Sequence, residues 1–83
     1  MTETITHVAI EFADMTLDLP KPARHSDVIA LHLKLTGKRG SGKRQGFITS
    51  TGRFVDRTIG AMVAWRAKQI SIKRDKLYSE DLW

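Results

Sequence analysis

The sequence predicts a small α+β domain, an antiparallel β-sheet carrying two α-helices, in a single domain expected to assemble as a homo-oligomer. Three observations predict it. Apolar and polar residues alternate with the period of a strand over residues 5–19. An apolar stripe at helical spacing runs from Ile59 to Ile70. Proline- and glycine-bearing segments cut the chain into short elements. With 83 residues there is room for one domain and a modest core. The chain has no cysteine, which excludes disulfides and a thiolate zinc site. Good packing, self-association or a ligand is therefore the expected source of added stability.

Residues 1–22 read as N-terminal strands. Val8, Ile10 and Phe12 fall on one face and His7, Ala9 and Glu11 on the other, and alternation resumes over Met15-Thr16-Leu17-Asp18-Leu19 after a turn at Ala13-Asp14. Pro20 and Pro22 close this region, because neither can donate a ladder hydrogen bond. A first helix is predicted over 26–36, with Ser26 as its cap and Gly37 at its end. Within it Ile29, Leu31, Leu33 and Leu35 alternate as a strand would, so helix and strand compete, and the helix formers Ala30, Leu31 and Lys34 favour helix.

Residues 37–44 form a basic, glycine-rich loop. A hairpin follows over 45–55, turning near Thr51-Gly52, and Asp56 is placed to cap a second helix over 57–70. On that helix Ile59, Met62, Val63, Ala67 and Ile70 make the apolar stripe, with Trp65 beside it. Arg66 lies among them, either with its stem on the core and its head in water or as a cation at the rim of a pocket. The tail, 71–83, carries Ile72, Leu77, Tyr78, Leu82 and Trp83, which suggests docking onto the domain.

The net charge is +5 and unevenly placed. Residues 1–20 hold Glu3, Glu11, Asp14 and Asp18 with no Lys or Arg. The rest hold all 14 basic side chains against Asp27, Asp56, Asp75, Glu80 and Asp81. Such asymmetry suits an anionic partner. No segment has the ~20 apolar residues of a bilayer span, and the start lacks a signal-peptide pattern, so a cytosolic protein without membrane partners is expected.

Gly37-Lys38-Arg39-Gly40-Ser41-Gly42-Lys43-Arg44 nearly spells a phosphate-binding P-loop, but Arg44 stands where a Ser or Thr would hold magnesium. What survives is a phosphate loop using Lys38, Arg39, Lys43 and Arg44, or else a solvated one. His7, His25 and His32 have no metal spacing and are expected at the surface or half-buried. No metal, cofactor or catalytic set is expected, and the protein is read as a binder and not an enzyme. Arg53 and Arg57 flank Phe54-Val55-Asp56 where hairpin meets helix. An aromatic between two guanidiniums supplies a stacking surface for a base and forks for phosphate oxygens. The other reading makes Phe54 core and the arginines solvated.

The run Gln45 to Arg57, the alanine-bearing helix reaching Gln69-Ile70, and the end Leu77-Tyr78-Ser79-Glu80-Asp81-Leu82-Trp83 resemble a signature of small bacteriophage proteins, in particular the anti-Thoeris and anti-CBASS sponge family. Arg24-His25-Ser26-Asp27 extends the similarity, with Ser26 where that family usually has a second histidine and Lys68 where glycine commonly precedes the glutamine. The resemblance implies an oligomer in the host bacterial cytoplasm that sequesters a cyclic nucleotide or cyclic ADP-ribose messenger intact. By position it points to Arg24, Phe47, Arg53, Asp56 and Arg57 as pocket residues, with His25 and Phe54 as further ligand-binding candidates. Phe47 or Phe54 would stack, Arg24, Arg53 or Arg57 would meet phosphate, and Asp56 would bind a ribose or base, or only cap the helix. The alternatives are a small phage protein that binds nucleic acid through the loop cations, and one that binds a host protein through Trp65 and the Tyr78–Trp83 tail.

Overall fold

Four antiparallel strands and two helices build the structure, a computed structural model that describes residues 2–38 and 44–83. The strands are β1 (Ile5–Glu11), β2 (Thr16–Pro20), β3 (Arg44–Thr49) and β4 (Phe54–Asp56), in the order β2-β1-β3-β4. The helices are α1 (His25–Thr36) and α2 (Arg57–Arg66), and a single 3-10 turn, Ser79–Asp81, sits near the C-terminus. The chain is thus α+β, with both helices on one face of the sheet.

Alternation fixes which face is buried. Val8 and Ile10 of β1 enter the core, opposite Leu19 and Leu17 of β2 and with Val8 beside Phe47 of β3, and Phe12 just past the strand joins them. Phe47 pairs in turn with Val55 of β4. The Phe47 ring is fully buried, meets the edge of His25 from α1 at 5.1 Å, and lies against Gly60 of α2. Sheet and helices therefore converge on one aromatic side chain. Burying a ring this completely is a large apolar contribution, roughly 1.5–3 kcal/mol.

The first helix starts one residue earlier than the sequence suggested, and Ser26 does not cap it. The Arg24 N–H donates to the Asp27 carboxylate at 2.8 Å, closing the N-terminus from the third helical residue. Gly37 ends the helix at φ 71, where a side chain would be strained, and its N–H reaches the Leu33 carbonyl at 2.7 Å. The helix buries His25, Val28 and His32, while Ile29, Leu33 and Leu35 are exposed.

The expectation of surface or half-buried histidines is corrected here for two of the three, His25 and His32, which are buried. Each buried ring has a polar partner that offsets the cost of leaving water. His25 bonds through Nε2 to the Gly46 carbonyl at 2.8 Å. His32 bonds through Nε2 to Asp14 Oδ1 at 3.0 Å and stacks on Phe12, ring centres 3.9 Å apart.

The second helix is shorter than 57–70. It ends at Arg66, with the Lys68 N–H donating to the Trp65 carbonyl and the Gln69 N–H to the Ala64 carbonyl. That pair of bonds requires a left-handed residue between them, and Lys68 supplies it at φ 58. Freed from the helix, the Gln69 carboxamide accepts the Ile5 N–H at 2.7 Å and donates to the Ile5 carbonyl at 3.0 Å. It serves β1 as a peptide group of a neighbouring strand would.

The apolar stripe is corrected with it. The side of α2 that meets the sheet is Gly60, Ala61, Val63 and Ala64, whereas Ile59, Met62 and Trp65 are exposed. Small residues win the inner face because Phe47 leaves little room: a Cβ on Gly60 would lie 3.0 Å from its ring. After α2 the chain returns across the domain. Leu77 and Ser79 are buried, and the Trp83 indole N–H donates to the Ala23 carbonyl at 2.8 Å.

Candidate functional site

A cleft of about 520 Å³ opens where β3, β4, the start of α2 and the C-terminal segment meet. Its lining comes from Arg44 and Gln45, from Asp56, Arg57 and Thr58, and from Lys76 and Tyr78. Chain geometry explains the gathering. Asp56 ends β4, and its Oδ1 accepts the Ile59 N–H at 2.8 Å, which starts α2 and sets Arg57 on its first turn. The Leu77 N–H then donates to the Arg57 carbonyl at 2.9 Å. With Leu77 turned into the core, its neighbours Lys76 and Tyr78 face outward into the cleft.

Arg57 is the centre of this arrangement. Its guanidinium carbon lies 4.5 Å from the centre of the Tyr78 ring, and Nη2 donates to the Gln45 carboxamide oxygen. Its Nε is enclosed with no hydrogen-bond partner among the described residues. A buried donor left unpaired costs roughly 1–3 kcal/mol, so the cation is held by its surroundings and is not yet fully satisfied by them. Arg44 and Lys76 add positive charge around it, and Asp56 alone opposes them among the lining residues. Arg44 also meets Glu11 at 3.3 Å, a solvent-exposed pair of little strength.

His25 is buried in the core, near enough to Arg57 to feel its charge. Burial pushes its imidazole below the ordinary histidine pKa and the Arg57 charge adds to that, while the Gly46 carbonyl bond and Glu80 pull the other way. A neutral ring here donates its Nε2–H to the Gly46 carbonyl.

The residues named from the sequence do not all meet at this cleft. Arg57, Asp56 and Arg44 do. Phe47 does not, and this is a correction: a fully buried ring offers no face for stacking. His25 is likewise a core residue and not a pocket residue. Phe54 lies on the open face of the sheet, over Gly46 and under the Arg44 guanidinium at 5.0 Å. Arg53 sits beyond the other end of β3, held by Glu3 through two bonds of 2.8 Å. Glu3 in turn accepts the hydroxyls of Thr49 and Thr51, and these donors, Arg53 first, hold its carboxyl well below the usual range. Arg24 pairs with Glu80 at 3.7 Å. Lys38 is exposed just past α1, and Arg39 and Lys43 fall outside the described residues.

Gln45, Thr58, Lys76 and Tyr78 were not named as site residues. The signal for the last two was the Lys76-Leu77-Tyr78 alternation, a short extended run whose apolar middle residue turns inward.

A family model described as Phage T4 y16D protein matches residues 4–83. The chain belongs to this family. It is therefore a small phage protein, and the family span takes in every strand and helix and the whole cleft. No curated protein and no solved structure matches it. The phage origin implied by the C-terminal signature stands on the family match, which in itself carries no ligand. No helix among the described residues is long and apolar enough to cross a membrane.

Proposed function

We propose that this phage protein binds a phosphate-bearing, nucleotide-type second messenger in the cleft over Arg57 and Tyr78, and holds it in the host cytoplasm without cleaving it. The observation that carries the reading is the half-satisfied Arg57 guanidinium, stacked on an aromatic ring between two further cations. A planar fork fixed in this way suits phosphate oxygens, and Lys76 and Arg44 would share their charge. Asp56 Oδ1 is occupied by the helix cap, which leaves Oδ2 for a ribose hydroxyl or base N–H. The Tyr78 phenol offers a further donor. Sequestration of a cyclic nucleotide or cyclic ADP-ribose signal is the activity that the resemblance to the sponge family implies, and the cleft's volume and charge are compatible with it.

The test is a melting-temperature series with cyclic ADP-ribose isomers and cyclic di- and trinucleotides, followed by heat denaturation and assay of the released compound. A ligand that binds only the folded state raises stability in proportion to its occupancy. The expected result is an upward shift with one compound, recovered unchanged, and no shift in Arg57→Ala. No shift with any compound, or recovery of a cleaved product, would contradict the reading. Nucleic acid is the rival for the same cations, and its affinity would fall steeply with salt.

A further inference from the structure

With its small residues turned to the sheet, α2 presents Ile59, Met62 and Trp65 outward, 39%, 47% and 42% exposed. Spaced three residues apart, they form one broad stripe along the helix. A groove lies on each side of it, of about 370 Å³ and 350 Å³. Met62 and Arg66 line both grooves and so form the ridge between them. Four cations surround the stripe, and two are neutralised within the chain. Arg53 is paired with Glu3 at 2.8 Å and Arg74 with Asp81 at 3.2 Å. Arg66 and Lys73 have no carboxylate partner among the described residues.

We infer that this face of α2 docks an acidic amphipathic helix of a partner protein, whose apolar stripe covers Met62 and Trp65 and whose carboxylates meet Arg66 and Lys73. Charge complementarity selects this occupant over a second copy of the chain. A two-fold pairing would set the same patch against itself and bring the free cations of both copies together. A helix lying in such grooves engages them through side chains three and four residues apart, with charges at the rim fixing direction and partner choice. The face shares no residue with the cleft over Arg57, so the two surfaces can be occupied independently.

Two fluorescein-labelled helical peptides with the same leucine stripe test this, one carrying glutamates at the flanking positions and the other lysines, with anisotropy measured against the full chain. The glutamate peptide is expected to bind at least about tenfold tighter, with an affinity that falls as salt rises. The double variant Arg66→Glu, Lys73→Glu changes only exposed side chains and is expected to reverse that preference. No binding of either peptide, equal binding of both, or an unchanged preference in the double variant would overturn the inference. Sedimentation of the protein alone adds a check: a dimer that dissociates in Met62→Glu would assign the face to a second copy and overturn it as well.

Discussion

Arg57 sets its guanidinium 4.5 Å from the centre of the Tyr78 ring, and its carbonyl accepts the N–H of the adjacent Leu77. The first turn of α2 and the C-terminal segment are thereby fixed to each other, and the cleft exists only because both are in place. The ring covers one face of the guanidinium, while Nη2 donates to the Gln45 carboxamide oxygen and Nε is enclosed. A cation–π contact of this kind contributes about 0.5–1 kcal/mol where solvent reaches it.

Two substitutions separate charge from shape at this site. Arg57→Lys keeps the charge and loses the planar fork, so nucleotide affinity is expected to fall about tenfold or more. Tyr78→Leu keeps an apolar side chain there but loses the ring, with a smaller loss of about two- to fivefold. Titration calorimetry measures both, and unchanged affinity in Arg57→Lys would place the phosphate elsewhere.

The end of α2 supplies a stability prediction of opposite sign at adjacent positions. Lys68 adopts a left-handed conformation that costs a side-chain-bearing residue energy. Lys68→Gly is expected to stabilise the fold by about 0.5–1 kcal/mol, part of the relief being offset by glycine's extra freedom when unfolded. Gln69→Leu removes both partners of the Ile5 peptide groups and is expected to cost about 1–3 kcal/mol. Urea denaturation at neutral pH measures the pair.

Sequence pattern carried the sheet and its inward face, because period-two alternation needs no knowledge of partners. It carried the Asp56 cap, which is local, and the hairpin between β3 and β4. It failed where a distant contact decides. The stripe of Ile59 and Met62 looked like core, yet Phe47 reaches α2 and admits only small residues there. Gln69 looked helical, yet its carboxamide is required by Ile5, 64 residues away. The cleft was half legible for the same reason: Arg57 and Asp56 stood beside an aromatic in the sequence, whereas Tyr78 and Lys76 reach them only through the fold.

Gly60 and Gly46 test the packing on the two faces of the sheet. Gly60→Ala pushes a methyl to 3.0 Å from Phe47 and is expected to destabilise by about 1–3 kcal/mol. Gly46→Ala sets a Cβ against the Val55 carbonyl and under the Phe54 ring, and a backbone atom cannot yield as a side chain does. Its cost is expected to be the larger of the two, as thermal melts of both variants would show.

Acid should weaken the fold in two stages. His25 is held neutral by burial, so the unfolded chain takes up that proton first, below about pH 6.5. Stability present above that pH is expected to decline as the pH falls toward the lower folded value. His25→Gln, which can still donate to the Gly46 carbonyl, is expected to flatten this first decline. Glu3, with its depressed pKa, contributes stability above the ordinary carboxylate range that is lost as pH drops below about 4.3. Glu3→Gln is expected to shrink that second stage, the remainder coming from Asp14, whose carboxyl pKa is also lowered by its bond to His32. Melting temperatures measured across pH 7 to about 3 would contradict the assignment if each variant followed the wild-type profile.

The most direct test of the binding proposal is a proton–nitrogen correlation spectrum of the labelled protein, recorded with each of the cyclic nucleotides and cyclic ADP-ribose isomers. The account predicts that the compound raising the melting temperature moves the Arg57 side-chain signal and the backbone signals of Thr58 and Tyr78, leaving Trp65 unmoved. Shifts confined to Phe54 and the open sheet face, or none with any compound, would contradict it.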